Sequence, residues 1–176
     1  MITRPNLLLI VLLFMGTLFA SCKKEDFRYQ NDFEKSFQTW TDFKASSDNS
    51  YRYQVGGGSW VGTGWKTTIT VKEGKVVQRD YELSFPTDWP GPIPDETAWT
   101  ENEAELNSHE HTSAAATLTL DDIYEEARNN WLKKRNDAET YFEAKNNGII
   151  SSCGYVTNGC QDDCFNGITI TFVEAL

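Results

Sequence analysis

The sequence predicts an α+β fold in which two helices pack on one face of an antiparallel β-sheet, as two α-then-β units in a single layer. Three observations predict it. An aromatic stripe recurs at helical spacing in residues 31–46, alternating strands joined by a Glu73-Gly74 turn follow, and a second helix-then-strands succession fills residues 119–172. The chain has 176 residues, of which 39% are hydrophobic and 13% aromatic, enough for one core in a single domain over residues 31–176. The repeat is one of architecture, because the two halves share no visible self-similarity.

The elements follow in order. Phe33, Phe37, Trp40 and Phe43 recur at spacings of four, three and three and define one buried helical face, with Asn31 or Asp32 as the cap. Tyr51, Tyr53 and Val55 alternate with Arg52 and Gln54, the period of a half-buried strand. Residues 66–72 and 76–85 form a hairpin, Gly74 supplying the positive φ of its turn. Residues 86–94 hold four of the five prolines and cannot form a central strand. Residues 99–116 are acidic and weakly periodic, which reads as a surface loop or a poor helix. Thr119 caps a second helix that runs to about Arg135, with Asp121 and Asp122 at its positive end and Leu120, Ile123, Tyr124, Ala127 and Trp131 on its buried face. Three short strands follow, over residues 139–145, 149–156 and around Ile168, Ile170 and Phe172, with Asn146-Asn147-Gly148 as a turn.

Charge narrows the function classes. The chain carries 16 Lys+Arg against 26 Asp+Glu, a formal net charge of −10, so it lacks the basic face that DNA or RNA demands. The same charge disfavours docking on anionic lipid through charge alone.

The N-terminal stretch carries an address. Arg4 precedes an apolar run over residues 7–20, too short to span a bilayer comfortably, and the run exits at Leu18-Phe19-Ala20-Ser21-Cys22. This exit resembles the lipobox of bacterial lipoproteins, with Phe19 where Leu is commonest. The resemblance implies that residues 1–21 are a lipoprotein signal peptide, that Cys22 is acylated, and that residues 22–30 are a lipidated tether. Two or three acyl chains hold a protein stably where one is marginal. Lys23-Lys24-Glu25-Asp26 is similar to the export tag that sends lipoproteins of Bacteroides-like bacteria to the outer face of the outer membrane. The expected location is therefore the outer membrane, lipid-anchored and facing the cell surface, with a periplasm-facing orientation as the alternative. Trp40, Tyr51-x-Tyr53, Thr70-x-x-x-Gly74-x-Val76, the stretch from Leu120 to Tyr124 and Asn147-Gly148-Ile149-Ile150 together resemble a family of secreted bacterial domains of unknown function, which brings no activity with it.

Few residues suggest chemistry. After Cys22, three cysteines remain. Export permits a disulfide, and Cys160 with Cys164 is the favoured pair, Cys153 with Cys160 the alternative. Three thiolates leave a zinc tetrahedron open, and no metal or other cofactor is expected. His109 and His111 flank Glu110 and would share one side of an extended segment, the basis of an alternative reading as a metal-dependent hydrolase or accessory enzyme. The glycines of residues 56–64 lack the Lys-Ser/Thr ending of a phosphate loop, but they frame Trp60 and Trp65. With Trp89 and Trp99, these indoles are candidate binding residues, because flat apolar rings suit a sugar or a protein partner. The leading expectation is a non-enzymatic, lipid-anchored envelope protein binding a protein or glycan through these loops. A structural subunit of an outer-membrane complex is the third reading.

Overall fold

The computed structural model describes residues 27–109 and 112–176. The expected signal peptide, the expected acylation site Cys22, most of the expected tether, Glu110 and His111 lie outside the described residues.

The fold of the described residues is α+β, with two α-helices and a seven-stranded antiparallel sheet. Helix α1 (Gln30–Ser46) precedes β1 (Tyr51–Gly58), β2 (Gly64–Lys72), β3 (Lys75–Ser84) and β4 (Ala98–Asn102); helix α2 (Leu120–Glu126) precedes β5 (Ala138–Glu143), β6 (Ser152–Thr157) and β7 (Phe165–Ala175). The strand order is β4-β3-β2-β1-β7-β6-β5. Each run of consecutive strands is an antiparallel meander, and β7 joins the two. Its first half pairs with β6, from Phe165↔Val156 to Thr169↔Ser152, and its second half pairs with β1, from Ile170↔Val55 to Ala175↔Tyr51.

Local chemistry accounts for the elements. In α1, Phe33 and Trp40 are buried, while Phe37 lies at the margin of the stripe and remains partly exposed. The helix begins one residue before the expected caps, with Tyr29 at the N-cap and no side-chain cap bond; Asp32 instead sits in the positive first turn. In α2, the Thr119 hydroxyl accepts from Asp122 N while the Asp122 carboxylate accepts from Thr119 N, a reciprocal capping box. The α-helical part stops at Glu126, short of the expected Arg135. A π turn over Ala127–Trp131 replaces it, closed by Leu132 N donating to Ala127 O at 2.9 Å. Arg135 then donates from Nη1 to the carbonyls of Asn130 and Trp131, satisfying the acceptors that the helix end leaves open. At the β2–β3 turn both Glu73 and Gly74 have positive φ, 49° and 78°, the signature of a tight two-residue hairpin turn.

The acidic stretch 99–116 is a third departure from expectation. Its first residues form β4, pairing Trp99 with Tyr81 and Glu101 with Arg79. Five residues were too few to show a period among charged neighbours.

The core is aromatic and hydrogen-bonded. Trp40 meets Tyr51 edge-on at 5.0 Å and stacks over Tyr124 at 6.4 Å between ring centroids. Trp40 Nε1 donates to Asp121 Oδ1 at 2.9 Å. Leu120 N donates to the Tyr51 hydroxyl at 2.9 Å, and Tyr124 OH donates to Ser36 O at 3.0 Å. Each buried phenol therefore has a partner, which burial of a hydroxyl requires. Burial raises the Tyr51 and Tyr53 phenols far above their ordinary value and pushes Tyr124 up to about 12, partly offset by its Ser36 and Ile150 bonds. Alternate residues of β1–β4 carry a polar network instead: Gln54 donates to Thr68, and Gln78 and Thr100 donate to Asp80. Among the described residues, no helix is long and apolar enough to cross a membrane.

Candidate functional site

The four candidate tryptophans occupy different settings. The β1–β2 loop is closed at its base by Ser59 N donating to Thr63 O at 2.9 Å, and Gly62 turns it with a φ of 90°. Trp60 stands at its tip, 88% exposed, beside Val61 at 41%. Pro86, at the start of the proline loop, lies 3.4 Å from where a Cβ on Gly62 would be, so the two loops touch. The proline loop adds Ile93, 58% exposed. Trp60, Val61 and Ile93 thus stand exposed on adjoining loops, an arrangement that water does not favour and a partner would cover.

The other three indoles are held down. Trp65 lies against the Gly57 backbone and packs partly on the core. Trp89 tilts onto Phe85 at 5.5 Å and its Nε1 donates to Pro92 O, which shapes the proline loop. Trp99 stacks with Tyr81, 5.1 Å away, and with His109, 4.2 Å away and parallel within 3°.

A polar cluster surrounds Trp99. Arg79 holds Glu101 through Nε to Oε2 at 2.8 Å and Nη2 to Oε1 at 2.9 Å, both side chains buried. Glu101 also accepts from the backbone N–H of Asn107 and His109, from Ser108 Oγ, and from His109 Nδ1 at 3.0 Å. The Arg79 guanidinium lies 4.9 Å from the Trp99 ring centre. Burial alone would raise the Glu101 carboxyl, but the Arg79 guanidinium and the His109 and Asn107 amides outweigh it and hold it well below the usual carboxylate range.

Six donors converge on the two Glu101 oxygens, so the carboxylate is engaged within the fold. His109 is likewise engaged, its Nδ1–H donating to Glu101 and its ring stacked on Trp99. The cluster therefore acts as a clasp that holds residues 103–109 against β3 and β4, and Ser113 Oγ and Tyr81 OH add a further tie at 2.6 Å. Among the described residues, no group of three or more His, Cys, Asp or Glu side chains is arranged to hold a metal.

Cys160 and Cys164 form a disulfide that ties the β6–β7 loop, their Cα atoms 6.1 Å apart. Among the described residues, Cys153 is the free thiol; it is buried, and burial pushes it up to about 12.

Sequence reasoning missed Arg79 and Glu101, and also Val61 and Ile93. The alternation Trp99-x-Glu101 opposite Arg79-x-Tyr81 was the available signal, but it becomes readable only when β3 and β4 are known to pair. No family model, curated protein or solved structure matches the chain.

Proposed function

We propose that this is a non-enzymatic, lipid-anchored envelope protein that binds a protein or glycan through the paired loops carrying Trp60 and Ile93. The carrying observation is Trp60, a large ring 88% exposed at the tip of a loop with a hydrogen-bonded base. A loop closed at its base has less backbone freedom to lose on binding, and aromatic rings dominate interface energetics. In this reading the two helices form one layer over a single face of the sheet, in two α-then-β units, which frees the loop end for a partner. The close contacts of Trp40 and Leu120 with Tyr51 support that arrangement.

The anchor is acylated Cys22, in the outer membrane and facing the cell surface, supported by the lipobox resemblance and the Lys23-Lys24-Glu25-Asp26 stretch. An enzyme built on His109 and His111 has less support, since His109 already serves the clasp.

The experiment combines acyl labelling with a binding screen. Label should be present in the wild type and lost in Cys22→Ala. Any glycan or envelope protein retained by the wild type should bind Trp60→Ala at least about tenfold more weakly, at unchanged thermal stability. Binding indifferent to both Trp60→Ala and Ile93→Ser would overturn the proposal.

A further inference from the structure

The edge of the domain nearest the tether has a chemistry unlike the rest of the chain. A groove of about 490 Å³ opens beside β5, lined by Phe27, Arg28, Lys134, Arg135 and Glu139 among others. In a chain of net charge −10, this places three cations around one carboxylate. Arg135 is fixed there: its Nη2 donates to Asn130 Oδ1 and its guanidinium lies 3.8 Å from the Tyr155 ring centre. Arg28 and Lys134 are exposed, and neither they nor the adjacent Lys133 hold a salt bridge among the described residues. A second groove of about 420 Å³ adjoins the first along β5, lined by Tyr29, Tyr141, Phe142, Phe165 and Glu143, whose carboxylate is paired with Lys145 Nζ at 2.8 Å. Its rim leaves Tyr141 42% and Phe165 39% exposed.

The tether makes this placement meaningful. Phe27 is packed edge-on against Phe33 at 5.4 Å, so the chain joins the domain here. Cys22 precedes Phe27 by five residues, a reach of at most roughly 17 Å whatever path they take. If Cys22 carries acyl chains, the bilayer surface cannot be farther than that from this edge. Aromatic rings flanked by Lys and Arg are the combination that settles at the headgroup level of a bilayer. Trp60 and Ile93 lie elsewhere, because β2 and β5 are four positions apart in the sheet, roughly 19 Å.

We infer that the β5 edge is a membrane-docking surface, Arg28 and Lys134 binding the phosphates of anionic lipid headgroups while Tyr141 and Phe165 sit at the interface. The inference rests on the lipid-anchor reading. It also reconciles the acidic chain with an anionic surface: the whole molecule would be repelled, but this edge is locally cationic and aromatic. Docking there fixes the orientation of the domain, with β1 and β2, which carry the Trp60 loop, three and four positions away from the docked strand.

The test uses the full lipidated protein mixed with vesicles of phosphatidylcholine, alone or with phosphatidylglycerol, and reads flotation and tryptic cleavage site by site. The expected result is flotation on both, with cleavage after Arg28 and Lys134 slowed roughly tenfold or more by phosphatidylglycerol. Cleavage after Lys72 and Lys75, in the β2–β3 turn, should be unchanged, and the Arg28→Gln/Lys134→Gln variant, read after Lys133, should lose the difference. Equal cleavage on the two lipids overturns the inference, as does equal protection by inorganic phosphate, which would make the groove a site for free anions. Flotation on phosphatidylcholine reports the anchor separately. If it fails, the anchor reading falls, and flotation on phosphatidylglycerol vesicles alone then supports the groove while its absence overturns it.

Discussion

Arg79 and Glu101 face each other from β3 and β4 in a bidentate pair, both buried, with the Glu101 oxygens taking four further contacts from residues 107–109. A stretch that reads as a solvated acidic loop is therefore anchored by the most deeply buried charge in its vicinity. Glu101→Ala leaves a buried guanidinium without its partner and should cost about 3–5 kcal/mol, whereas Glu96→Ala on the exposed proline loop should cost well under 1 kcal/mol. Denaturant unfolding of the two variants checks the contrast.

The same pair sets an acid limit. The Glu101 carboxyl is held below its ordinary value of 4.5, so its contribution is fully present above that pH and is lost as pH falls below it toward the folded-state value. Wild-type stability should decline from about pH 4.5 downward, and the decline should be shallower in Glu101→Gln. Melting temperatures between pH 7 and pH 3 measure the slope. Parallel slopes in the two proteins would remove Glu101 from this role.

Cys153 lies on β6 opposite Ile168, and its thiol is pushed up to about 12 by burial. In the native protein at pH 8 it should resist alkylation, and it should label fully once the chain is unfolded in denaturant. Rapid labelling of the native protein would show that β6 opens. Reducing Cys160–Cys164 should cost at most about 2 kcal/mol, because the ring it closes is short.

Two tryptophans give opposite expectations. Trp40 is fully buried and donates to Asp121, so Trp40→Ala should destabilise by about 3–5 kcal/mol. Trp60→Ala should change stability by no more than about 0.5 kcal/mol and should blue-shift the remaining fluorescence, since the most exposed indole has gone. A large loss of stability in Trp60→Ala would mean that the ring supports the fold rather than a partner.

Much of the fold was legible where one period dominates. The stripe from Phe33 to Phe43, the Tyr51-Tyr53-Val55 alternation, the Glu73-Gly74 turn and the Thr119 cap each carry a local signal, and each element begins within a few residues of its expected place. What escaped depends on pairing. β4 is a strand because Trp99 and Glu101 lie opposite Tyr81 and Arg79, and no local pattern encodes that. The second helix ends early through a π turn, although Trp131 and the basic run after it prolong the helical period in the sequence. The candidate site was half legible. Glycine spacing marked the loop around Trp60, but the sorting of four tryptophans into one exposed and three packed rings depends on Gly57, Phe85 and His109, which meet them only in three dimensions.

The most direct test places a photo-crosslinking amino acid at Val61, beside an intact Trp60, and another at Tyr141, in the lipidated protein on cells that produce it. The expected result is a discrete protein or glycan adduct at position 61 that disappears in Trp60→Ala, and lipid adducts at position 141. Lipid adducts at position 61, or a position-61 adduct that persists in Trp60→Ala, would contradict it.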